Sequence, residues 1–125
     1  MKVLVADDDK ILLHLVSTRL RTSGWHVDVA VDAMQAVSMA IGGSPDVIVL
    51  DINMPGGSGT DALSMIKSSP KTGRIPVLVV SGSIDPQDEV RVRALGAAAY
   101  LAKPVDVDVL HEQLLRIAGR GDAAA

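Results

Sequence analysis

The sequence predicts a doubly wound α/β domain in which five parallel strands alternate with five helices. Three observations carry this. Short apolar runs recur five times, at Val3–Ala6, Val27–Ala30, Val47–Leu50, Val77–Val80 and Ala98–Ala102. Three of them (VLVA, VIVL and VLVV) are continuous and β-branched, as strands buried on both faces of a parallel sheet must be. Between the runs lie segments with helical periodicity and caps, and regular βα alternation with right-handed crossovers lays helices on both faces of one sheet. The expected product is a (βα)5 three-layer sandwich.

The first run leads into a helix over residues 10–23, with Ile11, Leu12, Leu15, Val16 and Leu20 as its apolar face and Gly24 as its stop. Trp25 follows that stop and is expected to cover the helix end. The second run, within HVDVA, alternates and reads as an edge strand. A helix from Asp32 to Ile41 comes next, opened by an Asp cap with Gln35 three residues on and ended by Gly42–Gly43. After the third run, Ser58 with Asp61 opens a helix to about Lys67. After the fourth, Asp85–Pro86, with Asp88 in the first turn, opens a helix that Gly96 closes. The fifth run, AAYLA, is small-residue and weak, which suits the other edge. Asp106, followed by Asp108, opens the last helix, with Val109, Leu110, Leu114, Leu115 and Ile117 as its apolar face. Met34, Met39 and Met65 fall at core-like helical spacing and are expected to pack. The domain is expected to span residues 1–118, leaving 119–125, GRGDAAA, as a flexible tail without periodicity.

Composition narrows the function. A chain of 125 residues makes one domain and buries enough surface to fold without a metal or a disulfide. There is no cysteine, which excludes thiol chemistry and zinc–thiolate sites. No apolar run approaches the roughly 20 residues of a membrane span, and MKVLVADDD turns acidic too early for a signal peptide, so a cytoplasmic protein without a membrane partner is expected. Twelve basic against fifteen acidic residues, net −3, argue against nucleic-acid binding through bulk charge. Thirteen of the fifteen acids are Asp, the better cap and the harder cation ligand, so their positions matter.

In an open α/β sheet, ligands bind beyond the carboxyl ends of the strands, where strand order reverses. The first strand delivers Asp7, Asp8 and Asp9 to that rim, the third Asp51, the fourth Ser81 and the fifth Lys103. Carboxylates crowded together repel and raise one another's pKa unless a cation joins them, and a few carboxylates plus waters is how Mg2+ is usually held. Lys103 would neutralise the cluster in the absence of metal and pair with an incoming anion in its presence. Ser81 offers a hydroxyl, and Gly82 lets a backbone N–H approach closely. These are the parts that stabilise a transferring phosphoryl group, with Asp51 as the candidate nucleophile. Each residue alone also has an ordinary reading: Asp8 or Asp9 as a helix cap, Asp51 as a loop acid before the turn Met54-Pro55-Gly56-Gly57, Ser81 as a turn hydroxyl, Lys103 as a solvated lysine.

At these residues the sequence resembles the receiver domain of two-component response regulators. VLVADDD, VIVLDINMPGGSG, VLVVSGS and GAAAYLAKPV stand in order at the family's spacings over roughly residues 1–118. The resemblance implies a five-stranded sheet in the flavodoxin-like order 2-1-3-4-5. It implies Asp51 as phospho-acceptor, with Asp8 and Asp51 as direct ligands of Mg2+ (or Mn2+ in its place), Asp7 acting through water, and the backbone carbonyl of Asn53 as a further ligand. Ser81 and Lys103, beside Gly82, would hold the phosphoryl oxygens, and Lys103–Pro104 would be cis. Tyr100 would be the switch aromatic that turns inward as Ser81 moves, reshaping the fourth helix, fifth strand and fifth helix. Its ordinary reading is an edge-strand aromatic packed on the last helix. The implied partners are a histidine kinase or histidine phosphotransfer protein and a downstream protein target, with the chain a monomer that makes no direct nucleic-acid contact.

Three departures from the family pattern stand out. Ala98 and Ala99 replace acids common just before the switch aromatic, which removes partners for Arg91, Arg93 or Arg116 and weakens the case for that dimer face. Gly82 stands where Ala is commoner. Asn53 and Ser83 occupy positions that tune phosphate lifetime in the family.

Other functions are separable in principle. An aspartyl phosphatase of the haloacid dehalogenase type needs a second Asp two residues after the nucleophile, where this chain has Asn53. A pseudo-receiver that binds partners without phosphate would not need the set Asp7, Asp8, Asp51, Ser81 and Lys103. A flavodoxin-like cofactor site would need a Ser/Thr-rich phosphate loop after the first strand, and DDDK stands there instead. His14, His26 and His111 are scattered away from the rim, so a histidine donor role is not supported.

Overall fold

Every apolar run forms a strand, and every periodic segment a helix. The structure, a computed structural model, describes residues 1–54 and 59–124, with side chains as far as Gly119. In chain order the elements are β1 (Lys2–Ala6), α1 (Lys10–Thr22), β2 (His26–Ala30), α2 (Ala33–Gly43), β3 (Val47–Asp51), α3 (Gly59–Ser68), β4 (Val77–Ser81), α4 (Gln87–Ala94), β5 (Ala99–Ala102) and α5 (Val107–Ala124). All strand pairs are parallel, in the order β2-β1-β3-β4-β5. The two weaker runs, HVDVA and AAYLA, are the two edges. The order reverses between β1 and β3, so a crevice opens above their carboxyl ends.

Strand residues alternate between two cores. Val3, Val5, Val47, Val49, Leu78 and Val80 meet α1 and α5 on one face. Leu4, Ala6, Ile48, Leu50, Val77 and Val79 meet α2, α3 and α4 on the other. Helix ends follow the caps written in the sequence. Asp9 Oδ1 accepts from the amides of Ile11 and Leu12 at 3.0 and 3.2 Å, and Asp32 Oδ1 from that of Gln35 at 2.7 Å. At the end of α1, Gly24 (φ +90°) donates to Arg21 O and Trp25 to Leu20 O, a Schellman closure that needs a left-handed residue. Trp25 is buried there and packs edge-on to the His111 ring, 6.1 Å between centroids, joining the end of α1 to α5.

Some apolar faces are rotated from the expected ones. In α1 the buried stripe is Leu13, Val16, Ser17 and Leu20, while Ile11 is 75% and Leu15 51% exposed. In α5 it is Leu110, Leu114, Ile117 and Ala118, with Val109 and Leu115 outside. An i, i+3, i+4, i+7 stripe fits one sheet groove, and a helix with apolar residues to spare leaves some in water. Met34 and Met65 are exposed rather than packed, because the small Ala36 and Ala40 and the well-filled Leu63 and Ile66 already hold α2 and α3 against the sheet. Only Met39 of the three leans on the core.

Helix bounds differ at the ends of α2 and α5. Ser58, expected to open α3, and Pro55, Gly56 and Gly57 of the expected turn lie outside the described residues. The end of α2 is closed by Ser44 in the left-handed region (φ 49°), one residue beyond the two glycines. Replacing Ser44 with glycine should stabilise the fold by about 0.5 kcal/mol, the left-handed penalty less the greater entropy loss of glycine, read from a urea unfolding midpoint. The backbone of α5 continues to Ala124, past the expected boundary at 118, because extending an existing helix costs little. Among the described side chains, the last in α5 to reach the core are Ile117 and Ala118.

Candidate functional site: an acidic crevice at the strand ends

Four strand ends converge on the crevice. Asp7 directly follows β1, Asp51 ends β3, Ser81 ends β4, and Lys103 directly follows β5. Sheet bonding runs slightly past the strands and fixes these positions: Asp7 N donates to Ala30 O (3.0 Å) and Lys103 N to Ser81 O (2.8 Å). The Lys103–Pro104 peptide is cis. Asp7 and Asp51 are each 1% exposed and Ser81 is fully buried, so charges here interact with little screening by water. Asp8 is exposed at the mouth.

One local device aims both buried acids. The amide two residues on clamps one oxygen of each: Asp9 N donates to Asp7 Oδ1 and Asn53 N to Asp51 Oδ1, both at 2.9 Å. The other oxygens flank the Lys103 ammonium, which lies 3.0 Å from Asp51 Oδ2 and 3.1 Å from Asp7 Oδ2. Burial raises the Asp7 carboxyl above the ordinary aspartate range, and the Asp51 charge adds to this, while the Asp9 amide and Lys103 pull it back. Burial draws the Lys103 ammonium down, but its bonds to Asp51 and Asp7 outweigh that and hold it above the ordinary lysine value.

The donor set fits a hard divalent cation. Asp7, Asp8 and Asp51 each offer a carboxylate oxygen, all within 4.8 Å of one another. Asp7 Oδ2 is buried and receives no well-angled hydrogen bond, its near neighbour being the Lys103 ammonium. Oxygen-only ligands of this kind suit Mg2+.

The structure thus brings Asp7, Asp8, Asp51, Ser81 and Lys103 onto one rim. Asp9 stands apart as the cap of α1, the ordinary role open to it from sequence. Tyr100 lies half-buried on the α2–α3–α4 face, so its ring packs against that core rather than on the last helix. Sequence reasoning singled out Asn53 and Ser83 but not the bonds that each makes to Ser81. The Asn53 side-chain amide donates to Ser81 Oγ at 3.4 Å, and the Ser83 N–H donates to the same oxygen at 3.0 Å. The Ser-x-Ser spacing after β4 was the available signal for the second. Beside the crevice a groove of about 470 Å3 is lined by Asp9, Ile11, Leu12, Leu15, Gly82, Lys103, Pro104 and Val105.

A parallel five-stranded α/β domain with clustered carboxylates and one lysine at its switch point defines a narrow class. The model of the response regulator receiver domain matches residues 3–115, and the chain belongs to that family. It is 38% identical over 116 residues to the transcriptional regulatory protein PrrA of Mycobacterium tuberculosis, covering 93% of this chain and 48% of that protein. Among solved structures it resembles the chemotaxis response regulator CheY4 of Vibrio cholerae (TM-score 0.86, 29% identity, 93% of this chain and 97% of that one). It also resembles the receiver domain of the sensor histidine kinase PA1611 of Pseudomonas aeruginosa PAO1 (TM-score 0.85, 26% identity, 94% and 97%), solved with magnesium coordinated in its active-site cleft. The chain spans half or less of the length of the curated relatives it matches. Among the described residues, no helix is long and apolar enough to cross a membrane.

Proposed function

We propose that this chain is a phospho-accepting switch that takes a phosphoryl group onto Asp51. The observation that carries the reading is Asp51 itself: buried at the end of the central strand, one oxygen clamped and the other beside Lys103 and the Asp7–Asp8 pair. Asp51 Oδ2 attacks the phosphorus of a phosphohistidine or acyl phosphate, and the bond to the leaving group breaks in line. Asp7, Asp8, Asp51 and the Asn53 backbone carbonyl would hold Mg2+, or Mn2+ in its place. When bound, the ion supplies positive charge to the carboxylates and to the phosphoryl oxygens. Lys103, no longer needed between Asp7 and Asp51, turns its ammonium to the phosphoryl group, and the Ser81 hydroxyl and the Gly82 N–H take further oxygens. Later hydrolysis returns Asp51, so the domain catalyses its own loading and unloading and turns over no separate substrate.

The donor is a histidine kinase or histidine phosphotransfer protein, and the groove beside Lys103 gives it a seat. Ile11 and Leu15 stand exposed along one side of α1, one turn apart, as an apolar helix of a partner would need. Replacing Ile11 with glutamate should slow loading from the protein donor about tenfold and leave loading from a small acyl phosphate unchanged, measured as rates under matched Mg2+. The output passes through α4, β5 with Tyr100, and α5 to a protein target, as a shift between two populated forms. The unit that does this is residues 1–118, acting as a cytoplasmic monomer without direct nucleic-acid contact.

The test is intact-mass spectrometry after incubation with a small acyl phosphate, with and without Mg2+, beside Asp51→Asn. One Mg2+-dependent phosphoryl addition in the wild type and none in the variant is the expected result. An equal addition in the variant, or none in the wild type under any donor, overturns it.

A further inference from the structure

Charge compensation is uneven along this chain. Lys2, Arg19, Arg91, Arg93 and Lys103 each face a carboxylate. Between Asp61 and Asp85, by contrast, the chain carries no acid and three cations, Lys67, Lys71 and Arg74. None of the three has an ion pair among the described residues. Asp46, the acid just before β3 at the same end of the sheet, gives its carboxylate to the Lys2 amide at 2.7 Å. The cations stand at the end of α3 and on the loop into β4, beyond the amino end of that strand. The length of β4, roughly 15 Å, separates them from Ser81 and the crevice.

The loop that carries them is tightly bonded. Thr72 at its centre is 1% exposed, and its hydroxyl donates to Ile66 O at 2.6 Å. The amides of Thr72 and Gly73 both donate to Ser69 O, at 3.2 and 2.8 Å, and that of Ile75 to Thr72 O at 3.0 Å. Lys67 Nζ closes the loop with a 2.8 Å bond to Ile75 O. Lys71 and Arg74 are held exposed on this frame, and Lys67 is half-buried beneath them in sequence order. Lys67 also serves the C-terminal end of α3, a duty that Lys71 and Arg74, beyond the helix, do not have. Burial draws the Lys67 ammonium below the ordinary lysine value, and no carboxylate opposes the shift.

We propose that the α3–β4 loop is a docking site for a short acidic segment of a partner protein, whose carboxylates pair with Lys71, Arg74 and Lys67. The Arg74 guanidinium can take one carboxylate in a two-bond fork, and the Lys67 ammonium keeps N–H groups beyond the one given to Ile75 O. A bonded loop presents its cations with little ordering left to lose on binding. The length of the ligand follows from the charge of the whole chain. At net −3, with an acidic crevice at the other end, the protein repels a long polyanion such as nucleic acid. A few carboxylates at the loop lie more than a Debye length, about 10 Å, from that crevice and meet the cations alone. The site is separate from Asp51 and does not rest on the function proposed for it.

Backbone amide NMR of the whole chain, titrated with a hexaglutamate peptide, tests it. Saturable shifts over residues 67–75 are expected, none with hexaglutamine, and weakening as salt rises from about 20 to about 150 mM. Lys71→Gln/Arg74→Gln should weaken binding about fivefold and Lys67→Met about threefold, with Lys10→Gln, another exposed lysine, unchanged. Undisturbed β1 and β3 amides in each variant show that the fold is intact. No saturable shift over 67–75, undiminished binding in either loop variant, or equal weakening by Lys10→Gln overturns the docking site. Tighter binding of a thymidine hexanucleotide at the same amides overturns the acidic protein segment as the ligand.

Discussion

Replacing Lys103 with methionine is expected to lower the stability of the fold by about 2–3 kcal/mol at pH 7 and low Mg2+. The ammonium is the near positive charge for two carboxylates that are each 1% exposed. Removing one partner of a buried ion pair commonly costs about 3–5 kcal/mol, and access of water at the mouth, where the Lys103 side chain is 24% exposed, reduces that. Methionine keeps most of the stem's volume, so the loss reports charge rather than packing. The pH dependence has a definite sign. Asp7 already has a raised folded pKa, so the folded state favours its proton, and keeping it ionised costs stability at pH values above the ordinary aspartate value. Without Lys103 that pKa rises further, and the deficit should shrink as pH falls through it. The wild-type lysine contributes in the opposite window: its raised pKa makes its stabilisation complete below 10.5 and lost as pH climbs through the folded value. Added Mg2+ should recover more stability in the variant than in the wild type, since no ammonium then competes for the carboxylates. Urea unfolding at pH 5 and pH 7, with and without Mg2+, checks all three; equal midpoints for both proteins would rule the account out.

Gly59→Ala should cost about 3 kcal/mol, or about 10 °C in Tm for a domain of this size. A Cβ on Gly59 would lie 2.2 Å from Ile52 Cα, 2.4 Å from its carbonyl oxygen and 2.6 Å from its carbonyl carbon. All three are backbone atoms, so no side chain can rotate away, and either α3 or the chain after β3 must shift. The shift falls where it matters for chemistry. Ile52 stands between Asp51 and Asn53, whose amide clamps Asp51 Oδ1. Loss of Asp51 reactivity should therefore accompany the loss of stability, in contrast to an ordinary core truncation such as Leu63→Ala. Thermal unfolding together with the rate of phosphoryl addition separates the two; a loss under about 1 kcal/mol would mean that α3 yields at little cost.

Much of this protein is legible in its sequence. Five apolar runs and the Asp caps at 9, 32 and 106 place the five strands and the helices α1, α2 and α5, because periodicity and capping are local properties of the chain. The rim residues are legible for a related reason: once a run is known to be a parallel strand, the residue after it faces the ligand end. Which way each helix is turned is less legible. α1 has more apolar residues than its stripe can bury, and only the shape of the sheet decides that Leu13 goes in and Ile11 stays out.

What the sequence by itself determined is therefore the strand–helix alternation and the set of side chains at the strand ends, since both follow from patterns within a few residues. Tertiary structure alone decided the contacts between segments far apart in the chain. Lys103 meets Asp7 across 96 residues, and the Asn53 amide, just past β3, reaches Ser81 at the end of β4. Such contacts depend on how the sheet twists and how closely helices settle on it, and those are fixed by packing of the whole chain.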